Sequence, residues 1–249
     1  MSEYANPNSL VSCDWLEKHL GDDSVAVVEV DVNTRKYKEG HIAGAVAWGW
    51  DTHLLNKGRR DILGLREFEE LLGSSGIGNN TAVVFYGSDV WYATWAFWQL
   101  RIYGHQDVRI LNGGRKKWIA DGRKIVNDIP KKRLAPYRST ALNQDVRALL
   151  PQVKAAVKGK ASALVDVRTP EEFTGKRLAP PGAPETCQKG GHIPGARCIP
   201  WALACNDDGT FKSADELRTL YGEKGVTPDK EIIAYGRVGD RSSHSWFVL

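Results

Sequence analysis

The sequence contains little cysteine, and the four that it has, Cys13, Cys187, Cys198 and Cys205, form no C-x-x-C pair. Disulfide frameworks and zinc sites need such spacings, so we expect reduced thiols, no metal and a cytoplasmic location. No apolar run approaches the length that crosses a bilayer, which excludes a membrane-spanning protein. The first 20 residues also lack a basic segment followed by an apolar one, so the sequence predicts no export signal.

The sequence also lacks a large excess of either positive or negative charge. The 249 residues carry 34 Lys and Arg against 30 Asp and Glu, a net charge of +4, and the basic residues are dispersed. A mild, dispersed charge argues against a nucleic-acid partner but is compatible with a small anionic ligand. Hydrophobic residues make up 42% and charged residues 26%, which are globular values that exclude disorder as the dominant state.

The chain contains an internal repeat. The motif GHIAGA at 40–45 returns as GHIPGA at 191–196, and AVVFYG at 82–87 returns as EIIAYG at 231–236. Matches in the same order indicate two related halves. Residues 129–144 are polar, contain two prolines and follow neither hydrophobic period, which is typical of a linker. We therefore predict three parts: a first domain over 1–128, a linker over 129–144 and a second domain over 145–249.

Each half alternates short apolar runs with amphipathic segments. The runs at 25–30, 83–86 and 108–111 are β-branched, as in strands that are buried on both faces. A helix is expected over 12–20, and Ser213-Ala-Asp-Glu is a capping box that predicts a second helix. This order predicts an α/β fold of two domains, each a parallel sheet with helices on both faces.

The repeat also predicts a difference between the halves. The second copy of the strand motif follows the first by 149 positions, so Leu249 corresponds to Leu100, in the middle of a helix of the first half. The first half then continues through the strand at 108–111. We expect the second domain to be incomplete at its C-terminus and marginally stable, because part of its sheet edge and core would lie uncovered.

One loop has the character of an anion site. The strand motif at 231–235 runs into Gly236-Arg-Val-Gly-Asp-Arg241 and then a helix-like segment. Ligands bind at the carboxyl ends of parallel strands, and the N–H groups of a helix N-terminus favour an anion there. Arg237 and Arg241 would reinforce that preference. In the alternative interpretation, Gly236 and Gly239 only permit a tight turn and both arginines are solvated.

Taken together, these motifs resemble the tandem-domain rhodaneses, which are thiosulfate sulfurtransferases. The resemblance is carried by GHIAGA, LNGGRKKW at 111–118, DVRTPEEF at 166–173, GHIPGA, DGTFKSADEL at 208–217 and RSSHSWFVL at 241–249. It implies a degenerate first domain and a second domain whose loop reads Cys-Arg-x-Gly-x-Arg. In that family the cysteine takes sulfane sulfur from thiosulfate and passes it to cyanide or another thiophilic acceptor. The resemblance implies no cofactor.

This sequence departs from the family at the nucleophile. The residue that matches the cysteine is Gly236, and glycine has no side chain to carry sulfur. We therefore expect a protein that is inactive in persulfide turnover but keeps the substrate-binding loop. That loop consists of Arg237, Val238, Gly239, Asp240 and Arg241. The counterpart at 87–92 in the first half lacks a cysteine and both arginines, so we interpret that half as a structural partner.

Three other functions stay open at this point. The chain could be a catalytically dead anion-binding or protein-interaction module, or Gly236 could be an engineered or erroneous replacement. It could also belong to the 3-mercaptopyruvate branch, although Glu172 stands where that branch tends to have a substrate-binding arginine. A resemblance to the dual-specificity cell-cycle phosphatases is weaker, because their loop is one residue longer. The oligomeric state is open.

A few other residues invite a catalytic role. Cys187 lies in an insertion at 175–190 that only the second half has, and it is the alternative sulfur carrier that the sequence excludes least easily. His41 and His192 repeat in both GHI motifs, including the half without an active loop. We therefore predict that each orders its turn through a hydrogen bond.

Overall fold

The computed structural model describes residues 3–56, 58, 61–131, 134–159, 161–183 and 187–249. The chain divides into two compact units. The first comprises Ala5–Val146 and Asp207–Thr210, and the second comprises Met1–Tyr4, Arg147–Asn206 and Phe211–Leu249. Each unit combines parallel strands with helices, which confirms the predicted α/β class. The domain and linker boundaries named above stay a prediction.

The first unit is built on a parallel sheet. In chain order it contains β1 (Leu10–Val11), α1 (Cys13–Lys18), β2 (Val25–Asp31), α2 (Arg35–Lys38), β3 (Val46–Gly49), α3 (Trp50–His53), β4 (Leu55–Asn56), β5 (Asp61–Ile62), α4 (Leu65–Ser74), β6 (Ala82–Tyr86), α5 (Val90–Ile102), β7 (Val108–Leu111) and α6 (Gly114–Ala120), with a short 3-10 helix over Pro7–Ser9. Five strands join in the order β1-β7-β6-β2-β3, all parallel, while β4 and β5 form an antiparallel pair. The three strands predicted from β-branched runs are β2, β6 and β7.

Local sequence explains where these elements lie. All five residues of β6 are buried, as expected of a central strand covered on both faces. Helix α1 begins where the Ser12 hydroxyl accepts a hydrogen bond from the Trp15 N–H at 3.1 Å, which satisfies one of the donors that a helix start leaves unpaired. The predicted helix over 12–20 is thus confirmed, with a shorter core.

The second unit repeats part of this plan. It contains α7 (Leu150–Gly159), β8 (Ala163–Asp166), α8 (Pro170–Phe173), β9 (Arg197–Cys198), α9 (Ala214–Gly222), β10 (Ile232–Tyr235) and α10 (Asp240–Val248), with a 3-10 helix over Trp201–Ala204. Its parallel sheet has the order β10-β8-β9. The predicted capping box opens α9: the Ser213 hydroxyl accepts from the Glu216 N–H, and the Glu216 carboxylate accepts from the Ser213 N–H.

Strand register places the predicted loop at the carboxyl edge of this second sheet. Tyr235, the last residue of β10, lies opposite Asp166 at the end of β8, and Asp166 lies opposite Cys198 at the end of β9. The loop 236–241 therefore begins beside the end of β8, whose other neighbour is β9. Within the described part of the unit, β10 has β8 as its one neighbouring strand, whereas β6 lies between β7 and β2.

The described part of 129–144 follows the surface of the first unit. The Ala135 N–H donates to the Gly73 carbonyl at 3.0 Å, and the Tyr137 ring is buried edge-on against Phe68. Polar and proline-rich sequence is therefore compatible with a well-packed connection. Across the residues that the structure describes, no helix is both long and apolar enough to cross a membrane.

Candidate anion-binding site

The loop after β10 turns sharply into α10. Gly239 is the residue before the helix and has φ 106°, a left-handed conformation that glycine adopts at little cost. The first bond of the helix runs from the Ser243 N–H to the Gly239 carbonyl at 2.8 Å. The N–H groups before Ser243 have no backbone carbonyl partner within the helix, as at any helix start. Together with the helix dipole, they favour negative charge at the carboxyl edge of the sheet.

Gly236 has room for a side chain. A Cβ built on it would lie 3.4 Å from Val167 Cγ2 and 3.8 Å from the Ser242 backbone nitrogen, which are ordinary contact distances. Its φ lies outside the left-handed region, so the backbone does not require glycine. A thiol here would stand beside the first N–H groups of α10, and such a position at a helix N-terminus lowers the pKa of a thiol.

The equivalent glycine of the first unit, Gly87, has no room for a side chain. A Cβ built on Gly87 would lie 2.2 Å from the Val30 carbonyl oxygen. That distance is an overlap with backbone, which no side-chain rotation can relieve. The repeat places glycine at both positions, but only the one in the second unit can accept a larger residue without moving the backbone.

Arg241 is paired with a buried carboxylate. Its two terminal nitrogens donate to the two oxygens of Glu172, at 2.8 and 2.9 Å, and the side chains are 11% and 0% exposed. Burial alone would raise the pKa of Glu172, but hydrogen bonds from Arg241 and from the Thr169 N–H outweigh it, so the pKa is lowered. The Glu172 carboxylate thus neutralises Arg241 and ties the start of α10 to α8. The sequence-derived role of Arg241 in substrate binding stays a prediction.

The other loop residues are half-buried. Arg237, Val238, Gly239 and Asp240 each keep part of their surface exposed, so the loop is accessible. The Asp240 carboxylate accepts a hydrogen bond from the Arg241 N–H at 2.8 Å. One of the amides that would attract an anion therefore already binds a carboxylate of the loop itself, and an incoming anion would compete with it.

A buried ion pair at the end of β8 supports the neighbouring insertion. Arg168 donates from Nε to Asp166 Oδ1 at 2.9 Å and from Nη2 to Oδ2 at 2.6 Å. The same Nη2 reaches the Gly191 carbonyl at 2.8 Å. This pair joins the strand end to the residue that follows the insertion. Residues 184–186 of the insertion lie outside the described residues, and Cys187 is half-buried.

Cys198 does not lie at the predicted nucleophile position. It lies opposite Asp166 in the sheet, whereas the Cβ built on Gly236 points at Val167, the next residue along. Successive strand residues face opposite sides of a sheet, so the Cys198 thiol and position 236 lie on opposite faces. Burial also raises the pKa of Cys198, which disfavours its reactive thiolate form.

Cys205 is hydrogen-bonded to a histidine but is not activated by it. Its Sγ lies 3.4 Å from Nε2 of His244. Burial raises the pKa of Cys205 to about 11 and lowers that of His244 to about 3. Both groups are therefore neutral near pH 7, unlike the thiolate and imidazolium of a cysteine nucleophile. His244 packs between the rings of Trp201 and Phe211.

The two GHI histidines have the predicted structural role. His41 Nδ1 lies 3.0 Å from the Tyr37 carbonyl, and His192 Nδ1 lies 2.9 Å from the Phe173 carbonyl. Each imidazole also stacks on the ring of the same aromatic residue, with centroids 3.7 and 3.6 Å apart. The same contact thus holds the turn in both units. In the described parts of the chain, no three His, Cys, Asp or Glu side chains are grouped to hold a metal ion.

Sequence reasoning missed one residue in the first unit. Asp31, at the end of β2, accepts hydrogen bonds from the N–H groups of Ser88 and Asp89, at 2.9 and 3.4 Å, and from the Ser88 hydroxyl at 3.1 Å. Its carboxylate thereby occupies the loop before α5, which corresponds to the loop 236–241. One indirect signal of this arrangement was present in the sequence: the first-half loop at 87–92, like the loop 236–241, is followed by a helix-like segment.

Comparison with known proteins agrees with these features. The family model for the Rhodanese-like domain matches residues 12–121 and 149–249. A putative thiosulfate sulfurtransferase from Haloferax volcanii is 47% identical over 254 residues, covering 100% of this chain and 88% of the relative. The sulfur carrier protein TtuD from Thermus thermophilus is 45% identical over 252 residues, covering 99% of this chain and 88% of the relative.

Solved structures share the fold at lower identity. An anaerobic ergothioneine biosynthesis enzyme from Chlorobium limicola, in complex with its natural substrate trimethyl histidine, superposes with a TM-score of 0.88 at 24% identity. A wild-type structure of EanB gives a TM-score of 0.85, also at 24% identity. This chain is covered completely in both, but it spans only about 65% of the length of those proteins. At this identity the similarity concerns the fold alone.

Proposed function

The chain belongs to the rhodanese-like family of sulfurtransferases, and we propose that its loop 236–241 binds thiosulfate without transferring the sulfane sulfur. Binding and transfer depend on different atoms. The N–H groups at the start of α10 and the loop cation Arg237 attract the anion, whereas transfer needs a thiol at position 236. The chain retains the first set and has Gly236 in place of the second.

The observation that carries this proposal is the space beside Gly236. A Cβ fits there at 3.4 and 3.8 Å from its neighbours, next to the Ser242 nitrogen. A thiolate built on that Cβ would attack the outer sulfur of thiosulfate. The S–S bond of thiosulfate would break, sulfite would leave with the electron pair, and a cysteine persulfide would form. Cyanide would then take the terminal sulfur as thiocyanate and regenerate the thiolate.

Restoring the thiol tests the proposal. We expect Gly236→Cys to form thiocyanate from thiosulfate and cyanide, and to gain the mass of one sulfur atom when thiosulfate is added alone. The unchanged chain and the isosteric Gly236→Ser control should stay at background in both assays. Equal and substantial turnover in the unchanged chain and in Gly236→Cys would show that sulfur transfer does not use this position.

Anion binding is tested separately by calorimetry. We expect saturable heat when the unchanged chain is titrated with millimolar thiosulfate, and weaker binding in Arg237→Ala, because that cation is part of the loop. Arg101→Ala in the first unit provides a matched control, since its guanidinium donates to the Gln106 carbonyl. Absence of heat at millimolar thiosulfate in the unchanged chain would refute the binding part of the proposal.

Two further points belong to this proposal. The proposal prefers thiosulfate to 3-mercaptopyruvate because the loop carries the charged sequence Arg-Val-Gly-Asp-Arg. The family resemblance points the same way, since Glu172 stands where the 3-mercaptopyruvate branch tends to have a substrate-binding arginine. The acceptor would be a small thiophile or a protein thiol, and a relative named as a sulfur carrier protein fits the second choice. A cytoplasmic location, where thiols stay reduced, is proposed on the cysteine pattern.

A further inference from the structure

The loop before α5 in the first unit corresponds to the loop 236–241, but its N–H groups bind a carboxylate that comes from a neighbouring strand. Helix α5 has 13 residues, so its N-terminus carries the partial positive charge that attracts anions. Asp31 Oδ1 accepts from the Ser88 N–H at 2.9 Å, and Oδ2 accepts from the Ser88 hydroxyl at 3.1 Å. Both oxygens are therefore bound at the place where a free oxyanion would sit.

Asp31 is held there by the strand and not by the loop. It is the last residue of β2 and is 6% exposed. The loop is fixed from the other side as well, since the Arg115 N–H donates to the Gly87 carbonyl at 3.0 Å. A carboxylate in so buried a position has little freedom to leave. Asp240 in the second unit differs, because it belongs to its loop and is half-buried.

Strand register shows that the second unit has the opposite charge at this place. Glu29 lies opposite Tyr86, and Asp166 lies opposite Tyr235. Two residues further along the chain, the first unit has Asp31 at the end of β2 and the second has Arg168 just beyond the end of β8. Arg168 turns toward Asp166 and Gly191 instead of the loop, so no strand carboxylate enters the loop 236–241 from this position.

The surroundings of Asp31 also discourage a second anion. Asp89 begins the first turn region of α5, and burial together with the charge of Asp31 raises its pKa. The nearby cation Arg115 is already paired with Glu29 at 3.0 Å, with both residues buried. Ser88 stands where the second unit has Arg237, so this loop itself contributes no such cation to an oxyanion.

We propose that Asp31 is the built-in anion of the first-unit loop and that it confines exogenous oxyanions such as thiosulfate to the loop 236–241. The contrast with the second loop rests on the function proposed above, whereas the occupancy by Asp31 does not. Removing the Asp31 side chain should create a second oxyanion site, bounded by the Ser88 and Asp89 amides.

Backbone amide NMR with thiosulfate as the probe tests this at single residues. In the unchanged chain, the Ser88 and Asp89 amide signals should stay in place while those of the loop 236–241 shift. In Asp31→Ala, the Ser88 and Asp89 signals should also shift and saturate. Asp31→Asn is the matched control: its side chain fills the same space, and its amide oxygen can still accept from the Ser88 and Asp89 N–H groups, so those signals should stay in place.

The possible outcomes separate the two proposals. Shifts of Ser88 and Asp89 in the unchanged chain, or their absence in a folded Asp31→Ala, would overturn the role of Asp31. If Asp31→Ala does not fold, the unchanged chain still tests the proposal, because a shift of its Ser88 amide signal with thiosulfate is sufficient to refute occupancy of the loop by Asp31. If the amide signals of 236–241 do not shift with thiosulfate, binding in the second unit is refuted, independently of the Ser88 signal.

Discussion

Breaking the buried pair between Glu172 and Arg241 should destabilise the second unit strongly. The two side chains are 0% and 11% exposed and share two hydrogen bonds of 2.8 and 2.9 Å. Removing one member of such a pair leaves the other charge buried without a partner, which costs about 3 to 5 kcal/mol. We therefore expect Glu172→Gln to lose that amount of unfolding free energy, a large share of the roughly 5 to 15 kcal/mol of a typical domain.

Urea unfolding followed by circular dichroism and tryptophan fluorescence measures this loss. The matched control is Glu70→Gln in the first unit, where the pair with Arg66 has side chains 88% and 62% exposed. Pairs of that kind contribute about 0.3 to 0.5 kcal/mol, so this variant should hardly change stability.

A double variant measures how much of the loss is caused by the charge that is left without a partner. Replacing both members by apolar residues, as in Glu172→Leu with Arg241→Met, removes both charges of the pair, so we expect it to recover the part of the loss that the unpaired charge causes. The Thr169 N–H also loses its acceptor in this variant, and that part of the loss should remain. The reasoning is wrong if Glu172→Gln costs no more than Glu70→Gln, because Arg241 would then find compensation from water or another group.

Three further predictions follow from the same contacts. Asp240→Asn should bind thiosulfate about fivefold more tightly, equivalent to about 1 kcal/mol, because the competing carboxylate charge is removed; calorimetry measures it, and unchanged or weaker affinity contradicts it. Gly87→Ala should lower the urea midpoint well below that of Gly236→Ala, since its Cβ would overlap a carbonyl oxygen at 2.2 Å; equal midpoints contradict it. Although burial opposes ionisation, hydrogen bonds from Arg241 lower the pKa of Glu172, so its stabilisation is present above about pH 4.3 and is lost as the pH falls further. The stability difference between the unchanged chain and Glu172→Gln should therefore stay constant from pH 7 down to about pH 4.3 and shrink only below that, and a difference that persists at a pH well below both pKa values contradicts it.

Regular elements were predictable because their signals are local. The β-branched runs at 25–30, 83–86 and 108–111 are strands, and the capping box at Ser213 opens α9 with both of its hydrogen bonds formed. Each of these signals depends on residues within a few positions of one another. The histidine turns were predictable for a related reason, since the same motif occurs in a half with and a half without the anion loop.

The role of Asp31 was hidden by the sequence itself. DVNT at 31–34 and DVRT at 166–169 look like matching segments, which would equate Asp31 with Asp166. The strand register instead equates Glu29 with Asp166, because these two lie opposite the repeated tyrosines. A shift of two residues along a strand keeps the same face of the sheet, so the hydrophobic pattern cannot reveal it.

By itself, the sequence determined the α/β class, the repeat, the family and the absence of a sulfur-carrying side chain at position 236. Each of these follows from residue identity and spacing along the chain. Only the tertiary structure decided that Gly236 has room for a side chain while Gly87 has none, and that Arg241 faces Glu172. Those properties depend on backbone and side-chain atoms that lie far apart in the sequence, and close packing in three dimensions is what brings them within a few ångströms.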